Sequence, residues 1–291
     1  MRPASVIFLI ISVLIIAAGL GLCFFAQNKA EKEGVELFED VSEENGDIVE
    51  IIDFAEEDLE IGKISFDLSD CEVSVSSGER SYVELINFEE GRYIRSTTNQ
   101  TLSIEDTISF RSILGFAEHG EFKGIRQYLQ YYSNSRDKIE RDKKINVYIN
   151  PQDNIKIYEI NVKKGNVALG DLSARNADYK VVVGTGDVTI GNITKSSSVI
   201  ITVNTGSVDA EIKNIQNLDV TIGTGDFSAK VLTPENQNYY LEALDGSINF
   251  IDNKVASPHE ENHPIASSTI KAEVSEGDIN IAALKNAKQT D

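Results

Sequence analysis

The chain is poor in the residues that form disulfide networks, metal centres and basic binding faces. Its 291 residues include no tryptophan, one methionine, three histidines and two cysteines, Cys23 and Cys71. Two cysteines exclude a disulfide framework and a cysteine-rich metal site. Basic residues are also scarce, with 27 Lys and Arg against 47 Asp and Glu, and the net charge of −20 argues against nucleic acid as a partner. The remaining composition, 41% hydrophobic and 25% charged, is typical of a globular protein.

One long apolar run opens the sequence. Residues 4–26 carry no charge, and as a helix rising about 1.5 Å per residue they would span roughly 35 Å, enough to cross a hydrocarbon core of about 30 Å. We therefore predict a transmembrane anchor within residues 1–30, with a cleaved signal sequence as the alternative. Basic residues flank both ends almost equally, and we expect the N-terminus inside and the body outside the cell membrane.

Acidic residues are concentrated directly after this run. Residues 31–60 contain fourteen acids and one base, a net charge of −13. We interpret this stretch as an acidic juxtamembrane spacer that self-repulsion extends. A tail that binds cations or a partner is the alternative.

A short unit recurs six times in the second half of the chain. The glycines of the successive units are 21, 20, 19, 21 and 31 residues apart, and they are Gly165, Gly186, Gly206, Gly225, Gly246 and Gly277. Apolar and polar residues alternate on both sides of each glycine, which predicts two half-buried strands joined at a corner. Such a unit could form a hairpin meander or one rung of a solenoid. The near-constant spacing favours a parallel stack of rungs of about 20 residues.

A polar residue follows each glycine at this corner. In chain order these residues are Asn166, Asp187, Ser207, Asp226, Ser247 and Asp278. Rungs stacked in chain order would place the acids on alternate rungs, roughly 10 Å apart. We interpret Asp187, Asp226, Asp278 and the glycines as structural turn residues, with a ladder of bound cations as the alternative. We predict no cofactor and no metal.

We predict a β-domain over residues 61–284, followed by a tail at residues 285–291. One insertion interrupts the strands of this domain before the repeats begin. The insertion spans residues 111–144 and combines basic with aromatic side chains, among them Lys123, Arg126, Tyr128, Tyr131, Tyr132 and Arg136. This patch could bind an anionic glycan, or the acidic stretch of the same or another chain. A solvated insertion is the other interpretation.

One stretch matches a catalytic motif. His259-Glu260-Glu261-Asn262-His263 fits the pattern of helical zinc proteases, in which two histidines one turn apart bind zinc. Pro258 and Pro264 leave too little room for that helix. We therefore predict a surface loop between rungs, with incidental metal binding by His259 and His263 as an alternative.

The Gly-Asp-Val-x-Ile units, together with Lys144-Ile-Asn-Val-Tyr-Ile-Asn-Pro151, resemble the "putative adhesin" family of bacterial β-strand-repeat surface proteins. The resemblance covers roughly residues 60–284. It implies an all-β, right-handed, single-stranded parallel β-helix-like solenoid. It also implies an N-terminal membrane anchor and functions linked to envelope stress, and it transfers no catalytic residues.

These observations together predict a single-pass, non-enzymatic cell-surface protein with an extracellular body. Adhesion, envelope interaction or an envelope-stress role is the expected function, and a cell-envelope glycan or a surface protein is the expected partner. A carbohydrate-active β-helix enzyme and an assembly scaffold are the alternatives.

Overall fold

The computed structural model describes residues 47–88, 93–106, 142–170, 177–191, 194–264, 266 and 268–284. These residues belong to one compact unit that spans Asp47–Asp291. Within this part of the chain the secondary structure is almost entirely β, and the one helical element is a short 3₁₀ turn at Pro234–Asn236.

The strands, in chain order, are β1 Val49–Asp53, β2 Lys63–Asp70, β3 Glu72–Ser77, β4 Tyr82–Ile86, β5 Ile94–Thr98, β6 Thr101–Glu105, β7 Lys144–Ile149, β8 Ile157–Lys164, β9 Val167–Leu169, β10 Asp178–Thr185, β11 Val188–Ile190, β12 Thr194–Thr205, β13 Val208–Ile212, β14 Asn214–Thr224, β15 Phe227–Val231, β16 Gln237–Asp245, β17 Ile248–Phe250, β18 Asn253–Val255, β19 His259–Glu261, β20 Ser268–Glu276 and β21 Ile279–Ala283.

The strands form two sheets. One sheet has the order β1-β4-β7-β3-β9-β11-β13-β15-β21-β17-β18, and the other has the order β19-β16-β20-β14-β12-β10-β8-β2-β6-β5. Each repeat places the strand before its glycine in the ten-stranded sheet and the strand after it in the eleven-stranded sheet; we call this pair a rung. Neighbouring rungs pair in parallel, as β10 does with β12 and β11 with β13. The predicted parallel stack is therefore confirmed.

The core lies between the two sheets, and the alternation seen in the sequence explains why. On β10, every second residue points inward, so Tyr179, Val181 and Val183 are buried while Lys180 between them is exposed. Equivalent positions on the next two rungs repeat the pattern. Ile201 on β12 and Val220 on β14 are both fully buried. Columns of aliphatic side chains thus fill the interior along the length of the stack.

The order of the rungs departs from the order of the chain at both ends. β20 pairs with β14 on one side and with β16 on the other, so the sixth repeat lies between the fourth and the fifth. At the opposite end β2 lies between β6 and β8. The expectation that acids occupy alternate rungs is therefore wrong, because Asp226 and Asp278 are on adjacent rungs.

Antiparallel strands close both ends of the stack. β1 pairs with β4 and β4 with β7 at one end of the eleven-stranded sheet, and β18 pairs with β17 at the other. Because β1 is part of this sheet and Ile52 on it is fully buried, the folded unit begins well before residue 61. The second half of the predicted acidic spacer, from residue 47, is thus part of the folded body rather than an extended linker.

No helix in the described part of the chain is long and apolar enough to cross a membrane. The predicted anchor over residues 1–30 and the tail at residues 285–291 lie outside the described residues.

Candidate functional site

The rung corner needs glycine for two reasons. Gly206 has a φ of +140°, a backbone conformation that other residues rarely adopt. A Cβ atom at this position would also lie 2.0 Å from the carbonyl oxygen of Gly186 on the neighbouring rung. Gly165, Gly186, Gly225 and Gly277 share the positive φ. The glycine column therefore permits the close backbone approach of successive rungs at this corner.

The polar residue after each glycine bonds to the next rung. The backbone N–H of Ser207 donates to Asp187 Oδ1 at 2.8 Å, and that of Asp278 donates to Asp226 Oδ1 at 2.7 Å. Ser247 donates to Asp278 Oδ1 from its backbone N–H at 2.7 Å and from its hydroxyl at 2.9 Å. These bonds lower the pKa of Asp278. The side chains thus satisfy corner amides between rungs, as turn residues do, rather than facing one another around an ion.

No metal centre is formed in the part of the chain that the structure describes. Nowhere in it do three or more His, Cys, Asp or Glu side chains gather in a way that could hold a metal ion.

The first three residues of the zinc-protease-like motif form a strand. β19 begins at His259 and pairs antiparallel with β16, so the two histidines are not one helical turn apart. His263 Nε2 lies 2.9 Å from a carboxylate oxygen of Glu261, and His259 Nε2 lies 3.5 Å from the other oxygen. The predicted loop thus contains a short edge strand, and the helical geometry of the protease motif is not formed.

The basic and aromatic patch of the insertion, from Lys123 to Arg136, lies outside the described residues. The two ends of this segment are joined. Lys143 Nζ lies 2.9 Å from Asp106 Oδ2, and the buried Asp106 also accepts hydrogen bonds from the backbone N–H of Ser69 at 2.5 Å and from its hydroxyl at 2.9 Å. The described residues on the two sides of the insertion, Asp106 and Lys143, are therefore in direct contact.

A cleft that the repeat pattern did not predict lies at the β1 end of the stack; we call it the end cleft. Its volume is about 520 Å³, within the range of roughly 300–1,000 Å³ that small-molecule sites occupy. Its walls come from the turn after β1 and from the connections that precede β4, β6 and β8. Phe54, Leu59 and Ile155 supply apolar surface, and Gln100 and Asn154 supply amides.

Most polar groups of the end cleft already bind one another. Arg80 lies 2.7 Å from the buried carboxylate of Asp53, and its guanidinium lies 5.1 Å from the ring centre of Tyr82. The Ser81 hydroxyl donates to Asp153 and accepts from the backbone N–H of Asn150. Because Asp53 neutralises Arg80, the cleft has no surplus positive charge for an anionic ligand. Its described residues offer amide and hydroxyl contacts beside apolar surface.

The end cleft could not be found from the periodicity of the repeats. Its residues lie in four connections that are far apart in sequence, and none of them carries a recurring motif. Only the order of the rungs at the β1 end brings these connections together.

Three solved structures resemble this fold in outline. A putative cell adhesion protein from Clostridium sporogenes is 12% identical, with 82% of this chain and 99% of that chain covered and a TM-score of 0.45. A putative adhesin from Bacteroides fragilis is 12% identical, with 82% and 97% covered and a TM-score of 0.40. A putative adhesin from Parabacteroides merdae is 9% identical, with 83% and 98% covered and a TM-score of 0.31. No curated protein sequence matches this chain.

The family itself is identified by sequence. The Toastrack DUF4097 family matches residues 61–291, which is well over half of the chain. The match includes all six repeats from which the adhesin-like resemblance was predicted, and the resemblance is confirmed. This chain belongs to the Toastrack DUF4097 family.

Proposed function

We propose that this protein is a non-enzymatic surface-interaction protein whose rung stack is the binding body. The observation that carries the proposal is the stack itself. In each sheet eight strands pair in parallel, and their outward side chains form two continuous sheet faces. Solenoid-like proteins use such extended faces to bind partners. The coil is right-handed in this proposal, because parallel crossover connections strongly favour that hand.

The outer face of the ten-stranded sheet carries apolar, hydroxyl and charged side chains. At its centre Ile200, which is 44% exposed, lies between Lys180 and Asp219 of the neighbouring strands, and the hydroxyls of Thr202 and Thr221 lie further along the same face. Charged pairs lie on both sides of this centre, such as Lys63 with Glu159 at 2.8 Å and Lys271 with Glu273 at 2.8 Å. Hydroxyl and apolar contacts suit an extended glycan of the cell envelope, or a surface protein, and do not suit nucleic acid.

The location belongs to the same proposal. A single-pass anchor in residues 1–30 holds the body outside the cell membrane, and the acidic residues 31–46 separate the body from the anionic lipid surface. The function is then adhesion, envelope interaction or an envelope-stress role.

Glycan arrays with product analysis test the binding function on residues 47–291. We expect selective retention of an envelope polysaccharide without cleavage. Thr202→Glu with Thr221→Glu places two charges in the centre of the face and should abolish binding. Thr189→Glu, on an exposed position of the other sheet, is the matched control and should bind normally. Cleavage products that disappear with one acidic-residue substitution would overturn the non-enzymatic proposal.

Protease treatment of intact cells tests the location. We expect the body to be digested while the cells remain whole. A body that is protected until the membrane is opened would contradict the extracellular placement.

A further inference from the structure

The sixth repeat, residues 268–284, fills a slot inside the stack. β20 has seven register partners on β14 and eight on β16. β21 pairs in the same way between β15 and β17. Ile270, Ala272, Val274, Ile279 and Ile281 on this repeat are each at most 2% exposed. The repeat is therefore an integral part of the core, although it lies near the end of the chain.

The fourth and fifth rungs form the two walls of the slot and are consecutive in sequence. The repeat that lies between them comes later in the chain. The fourth and fifth rungs are joined by residues 232–236 alone, which contain the 3₁₀ turn. Both walls thus belong to residues 214–250 and are synthesised before the sixth repeat. The sixth repeat follows residues 251–267, in which β18 pairs with β17 and β19 pairs with β16. The tether that leaves the fifth rung is therefore residues 262–267. At about 3.3 Å per residue these six residues can extend over roughly 20 Å, enough to reach a molecule packed against this end of the stack.

The contacts inside the slot do not depend on which molecule supplies the repeat. Asp278 N–H donates to Asp226 Oδ1 and Asp278 Oδ1 accepts from Ser247 N–H, as at the other corners. Gly277 has a φ of +139°, close to the +138° of Gly225 on the rung below it. The same repeat from a second copy of the chain would make every one of these contacts.

We propose that the sixth repeat is exchanged between copies of this protein, so that residues 268–284 of one molecule fill the slot of another. The contacts in the slot are equal in both arrangements, and the balance is set by the tether and by the local concentration of chains. Reciprocal exchange gives a closed dimer, and exchange in one direction gives an open chain of molecules. The exchange goes beyond the proposed binding function and does not require it.

Disulfide trapping tests the exchange in the full chain. Thr221 on β14 and Glu273 on β20 are register partners, and neighbouring strands are about 4.8 Å apart, within disulfide reach. Full-length chains carrying Thr221→Cys with one tag are co-expressed with chains carrying Glu273→Cys with a second tag. After oxidation we expect a covalent dimer that contains both tags, with a yield that rises with expression level.

The matched control replaces Thr221→Cys by Thr202→Cys. Thr202 is also exposed but lies one strand further from β20, beyond disulfide reach. We expect no mixed dimer from this pair. A single chain carrying both Thr221→Cys and Glu273→Cys verifies that the bond forms when the residues are adjacent. If this double variant closes its internal bond while the separate variants give no mixed dimer, or no more than the control pair, the exchange proposal is wrong. Glycan binding is measured separately, so its failure is distinguishable from failure of exchange.

Discussion

At the level of single residues, the rung corner has the least tolerance for change. Gly206 combines a positive φ with a neighbouring carbonyl oxygen 2.0 Å from where a Cβ would lie. We expect Gly206→Ala to lower the free energy of unfolding by roughly 3 kcal/mol, from backbone strain and steric overlap together. Gly62→Ala is the control, because its Cβ would meet no atom closer than 3.6 Å. Urea denaturation of residues 47–291 measures both, and equal effects would contradict this account of the corner.

The lowered pKa of Asp278 predicts a dependence of stability on pH. Hydrogen bonds from Ser247 hold this carboxylate ionised in the folded state. Its contribution is present above the ordinary aspartate pKa and is lost as the pH falls through the lowered folded value. Asp278→Asn keeps the acceptor oxygen and removes the titration. We expect this variant to lose less stability than the native chain on acidification, as measured by thermal unfolding across a pH series.

Asp209→Asn is the control for the pH experiment. It also removes one carboxylate, but from an exposed position on β13 outside the corner column. If Asp209→Asn changes the dependence of stability on pH as much as Asp278→Asn does, the change comes from net charge and not from the hydrogen bonds of the corner.

Two buried tyrosines carry hydroxyls that make no hydrogen bond within the described residues. The rings of Tyr158 and Tyr179 are stacked 4.7 Å apart in the core, and burial raises the pKa of both. Removing such a hydroxyl removes a desolvation cost, so Tyr158→Phe should leave stability unchanged or raise it by up to about 1 kcal/mol.

Tyr239→Phe is the matched comparison for this prediction. The Tyr239 hydroxyl donates to the carbonyl oxygen of Pro234 at 3.2 Å, and its loss should cost about 1 kcal/mol. Denaturant unfolding of the two variants side by side is the measurement. A larger loss of unfolding free energy with Tyr158→Phe than with Tyr239→Phe would contradict the claim that the buried Tyr158 hydroxyl does not stabilise the fold.

At the level of elements, the ion pair between Asp106 and Lys143 fixes both ends of the segment between them. Replacing residues 107–141 by about six Gly and Ser residues should preserve the fold, because the ends already meet. The shorter loop lowers the entropy cost of closure, and we expect a gain of roughly 1–2 kcal/mol. Thermal unfolding measures the gain. A replacement that unfolds the body would show that the segment contributes to the core.

The elements could be predicted from the sequence to different degrees. Alternating residues on both sides of each glycine predict the paired strands of the six repeats, because one side of each strand must be buried. β1 was missed, since its acidic residues mark it as solvated while pairing with β4 buries Ile52. The end cleft was missed as well, because its residues converge through contacts between connections and not through a local pattern.

At the level of the whole molecule, the order of the rungs could not be predicted. All six repeats bring a glycine against a backbone carbonyl of the neighbouring rung and have the same apolar columns, so each can stack on any other with similar contacts. The spacing of 31 residues before Gly277 was the one signal of a departure. The extra residues include the motif predicted as a surface loop, and they carry the chain around the fifth rung and back into the stack.

This order predicts which rung is the most protected. In a stack built in chain order the sixth repeat would be outermost and would open first. Here the fifth repeat is the outer one, and β20 is hydrogen-bonded on both edges by β14 and β16. We expect hydrogen exchange of amides in residues 268–276 to be as slow as in β14 and slower than in β16. Hydrogen exchange of residues 47–291 followed by mass spectrometry measures this ranking. Faster exchange in residues 268–276 than in β16 would instead support a stack in chain order. The short antiparallel β19 covers the outer edge of β16 over three residues only. The other residues of β16 can therefore be compared with β20 as strand residues that have one unpaired edge.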